Sequence, residues 1–139
     1  MRAKVVIDTN IYIAIFNSGL YERLRNPLHY VVYLAYPVLH ELWIGATGKH
    51  EVKHLGVFQA RFIQLNRLII PTAATLSLIG QACHYLRRTG KLDPVYPKHY
   101  NDIAIAASAR QVGATVLTNN LTGFQVIQEA FAFEFETPQ

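Results

Sequence analysis

Cysteine is almost absent from this sequence, with Cys83 standing alone. An internal disulfide is therefore excluded, and with it a fold held by bridges. A lone thiol fits a reducing cytoplasm, the expected location, and reads first as a small apolar residue on a helix. No apolar run reaches the ~20 residues that a bilayer span needs, so no membrane association is expected. Asp8 and Asn10 interrupt the apolar stretch near the start, and a signal peptide is not expected. Repeats, low-complexity tracts and linker-like segments are missing too. The 139 residues suffice for one domain with its own core, and 1–139 is read as a single domain. Acids are scarce: nine Asp and Glu stand against thirteen Lys and Arg, a net charge of +4. Several of those acids lie in apolar contexts. Gathered in one cleft, they would leave a surface more basic than the total suggests, which suits a polyanionic substrate. A solvated basic surface without such a role gives the same count. The histidines form no compact ligand pair apart from His50 and His54, four residues apart, and a solvated helix face explains that pair best.

The chain that remains is rich in short apolar segments. Lys4-Val5-Val6-Ile7 fits a buried parallel strand, and Asp8-Thr9-Asn10 ends it before a helical pattern from Ile11 to Phe16. Leu20 to Pro27 reads as a short helix and turn. Tyr30 to Tyr36 is β-branched and aromatic, as a strand should be. Pro37 then suits a first helical turn, which puts Glu41 in the early turns of a helix over 38–46. Residues 51–66 show helical spacing at Val52, Leu55, Phe58, Phe62 and Leu65. Leu68 to Pro71 reads as a short strand. A long helix over Thr72 to Arg88 carries a stripe of Leu76, Ile79, Cys83 and Leu86. Arg87, Arg88 and Lys91 at its end suit the helix dipole or, more sharply, a phosphate. A loop from Gly90 to His99 leads to an alanine-rich helix over 100–109, with Asp102 in its first turn. Gly113 ends that helix, Ala114 to Thr118 is the next buried strand, Thr122 to Ala130 a short helix, and 131–136 a partly exposed strand. Strand and helix alternate throughout, which predicts a three-layer α/β fold around a mostly parallel sheet.

Three acids share one kind of address. Asp8 follows a strand, Glu41 opens a helix after a strand, and Asp102 opens a helix before one. Asn119 and Asn120 follow another strand. The carboxyl ends of parallel strands share an edge, so Asp8, Glu41 and Asn120 should converge; Asp102 can join them only if its helix starts at that edge. Each acid could also be an ordinary helix-terminal carboxylate. Three carboxylates brought together repel strongly unless a divalent cation neutralises them. All-oxygen ligands favour Mg²⁺ or Mn²⁺ over zinc, and such a site suits phosphodiester hydrolysis.

These pieces carry a resemblance. Val5-Val6-Ile7-Asp8-Thr9-Asn10, His40-Glu41-Leu42 with Gly45, Asn101 to Ala109, and Gly113 to Asn120 with Phe124 follow one another as in PIN-domain ribonucleases. The set is most similar to the VapC-type toxins of toxin–antitoxin pairs. The resemblance implies a three-layer α/β/α PIN-like fold and a Mg²⁺- or Mn²⁺-dependent endoribonuclease. It assigns catalysis to Asp8, Glu41, Asp102 and Asn120, metal binding to Asp8, Asp102 and Glu41, and support to Thr9, Asn10, Thr118 and Asn119. It also implies an RNA substrate, a small antitoxin whose C-terminal segment covers the cleft, and homodimerisation through a helical face. The family's closing motif looks like Thr-x-Asn-x-x-Asp-Phe. Thr118, Asn120 and Phe124 match it, whereas Gly123 stands where the acid is expected, a departure that weakens binding of a second ion.

Other folds open similarly. A haloacid-dehalogenase-type phosphatase needs a second Asp where Asn10 stands, and a receiver domain needs an acidic pair and a late lysine; neither pattern is present. The serious alternative is a PIN-like module that binds RNA or protein without cutting, with Gly123 as its best argument. Tyr96, Lys98, His99 and Tyr100 could contact RNA, although loop structure explains them as well.

Overall fold

The computed structural model describes residues 2–18 and 29–138. The helix and turn expected over 20–27 lie outside those residues. The described elements are β1 (Ala3–Ile7), α1 (Thr9–Ser18), β2 (Tyr30–Ala35), α2 (Tyr36–Gly45), α3 (Lys49–Gln64), β3 (Leu68–Ile69), α4 (Ala73–Arg88), α5 (Pro97–Val112), β4 (Thr115–Leu117), α6 (Leu121–Ile127) and β5 (Glu134–Glu136).

The sheet runs in the order β3-β2-β1-β4-β5, and every pairing is parallel. β1 lies at its centre, with Val5 opposite Val32 on one side and Thr115 on the other. A central strand covered on both faces must be apolar throughout its inner half, and Val5, Val6 and Ile7 are all buried. The six described helices flank the sheet in a three-layer α/β/α arrangement. The chain leaves β1 twice, first outward through β2 and β3, then back across to β4 and β5. That reversal leaves a crevice beyond the carboxyl ends of β1 and β4, where open α/β sheets bind their ligands.

Helix α5 is the central packing element. Asp102 to Ala109 are eight consecutive buried residues, and the helix touches β1, β2, β4, α2, α4 and α6. Small side chains (Ala104, Ala106, Ala107, Ala109) let so many neighbours approach. Gly113 closes it with φ 71°, a left-handed cap that suits glycine.

Three expectations need correcting. α5 begins at Pro97 rather than near Tyr100, because proline is well suited to a first turn, so Asp102 falls in the second turn and not the first. In α4 the buried stripe is Thr75, Ile79, Ala82 and Leu86, while Leu76 is exposed and Cys83 half-buried, so the buried face passes through Thr75 and Ala82 and turns Leu76 outward. In α3 only Leu55 of the predicted face is buried, whereas Val52 and Leu65 are exposed. Of the basic cluster that follows α4, Lys91 pairs with Glu129.

Candidate active site

Asp8 is the first residue beyond β1, and its backbone N–H donates to the Leu117 carbonyl of β4 at 2.9 Å. The sheet thus continues by one bond past both strands and holds Asp8 at the crevice, 5% exposed. Its carboxylate is held on both sides. Oδ1 accepts from the Thr9 backbone N–H at 2.8 Å, and Oδ2 accepts from the Thr118 hydroxyl at 2.8 Å. Thr118 is fully buried and also accepts from the Asn120 N–H at 2.9 Å.

The network extends from Asp8 in both directions. Thr9 Oγ1 donates to Glu41 Oε1 at 2.9 Å, tying α1 to α2. Asn120 Nδ2 donates to Asp102 Oδ2 at 3.1 Å, tying the start of α6 to α5. Glu41, Thr9, Asp8, Thr118, Asn120 and Asp102 therefore form one continuous relay. The two threonines and the asparagine separate the three acids and give each a donor. α5 does start at the edge where β1 and β4 end, so the condition for Asp102 to join is met. Asn10 and Asn119 are both exposed, and the hydrogen bonds just described pass through neither.

The electrostatics match this layout. Asp102 is pushed up to about 7, first by burial and then by the charge of Asp8, with Glu41 adding to it; Lys98 and the Asn120 amide oppose the shift. Glu41 is also raised, mainly by burial, with the Thr9 hydroxyl pulling down and Asp8 pushing up. An acid held this high at a concave edge is a frequent mark of a functional site. Lys98 acts on both Glu41 and Asp102, and the Asn101 side chain lowers Glu41 in part. Lys98 falls in the stretch before Tyr100 that the sequence assigns to a loop, which hides it as a partner of these acids. With the helix starting at Pro97, Lys98 and Asp102 are four apart and share a face.

Among the described residues, no three His, Cys, Asp or Glu side chains stand as a ready-made metal cage. The donor set nonetheless fits a hard divalent cation: three carboxylates and no thiolate, with negative charge that Lys98 offsets in part.

Gly123 is shaped to this site. A Cβ there would lie 2.5 Å from Asn120 Nδ2 and 3.0 Å from both Cγ and Oδ1. The Gly123 N–H donates to Asn120 Oδ1 at 3.3 Å, so the amide folds back over the glycine while its other end reaches Asp102. Gly123→Asp is therefore expected to fold but to push the Asn120 amide off Asp102, since only the end of one side chain must move. Without metal the added charge should lower stability by about 1–2 kcal/mol. Divalent metal should then raise the melting temperature more than in the parent chain. Thermal melts with EDTA or Mn²⁺ check this, and an unchanged response to metal would separate Gly123 from the acids.

Beside Glu41 opens a groove of about 600 Å³ between α1, α2 and α3, lined by Ile13, Phe16, Leu42, His54 and Leu55 among others. His54 stands edge-on to Phe16 with ring centres 5.3 Å apart.

A PIN-domain family model matches residues 5–128. No curated protein sequence matches the chain. Among solved structures the chain is similar to VapBC-1 from nontypeable Haemophilus influenzae, with a TM-score of 0.71, 19% identity and coverage of 96% of this chain and 97% of that one. It is similar to VapBC2 from Rickettsia felis, bound to a promoter DNA fragment (TM-score 0.69, 24% identity, 96% and 98% covered). DNA-bound VapBC from Salmonella typhimurium gives a TM-score of 0.67 and 26% identity over 99% of both chains.

Proposed function

Since the chain belongs to the PIN-domain family, we propose that it is a VapC-like endoribonuclease dependent on Mg²⁺ or Mn²⁺, and the toxin of a toxin–antitoxin pair. The observation that carries this reading is the relay that joins Asp8, Glu41 and Asp102 at the crevice beyond β1 and β4. Asp8, Glu41 and Asp102 would hold the cation, with Asn120 contributing its amide. When bound, the ion supplies charge neutralisation and Lewis acidity for phosphodiester hydrolysis.

The protein's own share is orientation. Thr118 and the Thr9 N–H fix both oxygens of Asp8, so that carboxylate presents one face to the crevice. Thr9 holds Glu41 by one oxygen and leaves the other for a water or the ion. Asp102, raised to about 7, can hold a proton at its carboxyl when no cation is near and release it when one arrives. Lys98, whose charge reaches Glu41 and Asp102, provides positive charge for an approaching phosphate. Asn10 and Asn119 are left with supporting roles at most, being exposed.

The partner proposal rests on the neighbours named above, which are VapBC complexes. The groove beside Glu41 is wide enough to receive an apolar segment of a small antitoxin, which would cover the acids. Homodimerisation through a helical face is supported by exposed apolar residues such as Leu76 and Tyr85 on α4. No helix among the described residues is long and apolar enough to cross a membrane.

A binding module without cleavage is the second reading. The glycine at 123 favours it, because it leaves the site one carboxylate short of the motif. The deciding assay incubates a pool of structured RNAs with the chain and with Asp8→Asn, in Mg²⁺, Mn²⁺ and EDTA. Cuts that need metal and vanish in the variant are expected. RNA bound but never cut in either metal would establish the module instead.

A further inference from the structure

The rim of the same crevice carries rings that the hydrolytic reading leaves unused. α2 and α5 both begin at the edge where the strands end, with Tyr36 opening α2 and Tyr96 at the N-cap of α5. The two helices are tied there by the Tyr36 and Tyr100 hydroxyls, which lie 3.3 Å apart. His40, exposed one turn into α2, has its ring 5.7 Å from that of Tyr36. On α5 the His99 ring stands 5.9 Å from Tyr96, and its Nδ1 is 3.1 Å from the Asp93 carbonyl oxygen. These rings are braced by neighbours yet open to water: Tyr96 is 62% and Tyr100 39% exposed. Between them in sequence stands Lys98, exposed, whose charge reaches both Glu41 and Asp102.

Braced, exposed rings with an exposed lysine on the same helix turn, at the rim of the proposed cleavage centre, match the parts of a single-stranded nucleic-acid site. We propose that Tyr96, Tyr100, His40 and His99 form a stacking platform for unpaired nucleotides flanking the scissile phosphate, with Lys98 on a neighbouring phosphate. This rests on the ribonuclease reading and adds to it the residues that would seat the unpaired nucleotides beside the cut. Bases in a duplex hide their faces against one another and cannot use the rings, whereas bases in a loop can. The bracing matters because rings already ordered lose little freedom when a base arrives.

The test measures binding of a fluorescent single-stranded RNA dodecamer to the full chain in EDTA at low ionic strength, where nothing is cut. The paired variant Tyr96→Ala with Tyr100→Ala should bind about tenfold more weakly or worse. Tyr96→Phe with Tyr100→Phe keeps the ring faces and should bind within about twofold of the parent. Lys98→Ala should weaken binding and flatten its salt dependence. The same sequence as a duplex should bind the parent less well than the single strand. Equal binding by the alanine pair, equal binding of duplex, or no binding of the single strand overturns the platform. The cleavage assay separates the two readings. Metal-dependent cuts at unchanged sites and rates in the alanine pair would remove the platform and leave the nuclease. Ring-dependent binding without any cut would remove the nuclease and leave the platform.

Discussion

Asp102→Asn is expected to make the protein inactive and more stable at once. Asp102 is 6% exposed, and burial together with Asp8 and Glu41 holds it up to about 7 against an ordinary 3.8. A shift of about three units corresponds to at most about 4 kcal/mol of strain in the charged form, and relaxation of the site should leave about 2 kcal/mol. Asn keeps an oxygen for the Asn120 amide and carries no charge, so this strain disappears. The melting temperature in EDTA should rise by about 5–10 °C. The size of the gain depends on pH. The folded state holds its proton more tightly than the unfolded one, so the cost is absent below about pH 4, grows through the interval, and is complete above about pH 7. The gain in the variant should therefore be large at pH 8 and negligible at pH 4. With Mn²⁺ the order should reverse, because the parent gains from a bound ion and the variant has lost a ligand. Melts at the two pH values, with and without metal, check each part; a variant less stable at pH 8 in EDTA would show that Asp102 is not strained by its neighbours.

Asp8→Ala is expected to lower RNA cleavage on the order of 10³-fold or more, since it removes the acid on which the whole relay closes. The fold should survive. Losing Asp8 takes the acceptor from the fully buried Thr118 hydroxyl and from the Thr9 N–H, a cost of about 1–3 kcal/mol. Relief of repulsion on Asp102 and Glu41 acts in the opposite direction. The informative readout besides activity is the titration of Asp102 followed by carbon NMR. With the Asp8 charge gone, its midpoint should fall below about 7, because that charge is one of the forces raising it. A midpoint left in place, in a folded variant, would mean that the two carboxylates do not sense each other, and the shared site would be wrong. Full cleavage by the variant would remove Asp8 from catalysis altogether.

The alternating short segments and the address of each acid were legible without coordinates, for a physical reason. A strand buried on both faces must be an apolar run, and a helix starting beyond it needs a polar break, so Val5 to Asn10 announces itself locally. The same holds for Ala114 to Asn120 and for the glycine cap at 113. From these, with the strand-to-helix junction before Glu41 and the alanine-rich helix that carries Asp102, follow the parallel α/β class and the candidacy of Asp8, Glu41, Asp102 and Asn120. Tertiary structure alone decided how the acids are joined. Nothing local links Thr9 to Glu41, 32 residues away, or Thr118 to Asp8, 110 residues away. Those bonds exist because β1 lies between β2 and β4 in the sheet, which brings the ends of all three strands together. The Asn120 cap over Gly123 is local, three residues apart, but only the packing shows the other end of that amide in contact with Asp102. Helix starts are weakly encoded where proline and aromatic residues suit loop and helix alike, which is why the first turn of α5, with Lys98 on it, was hidden until the chain was folded.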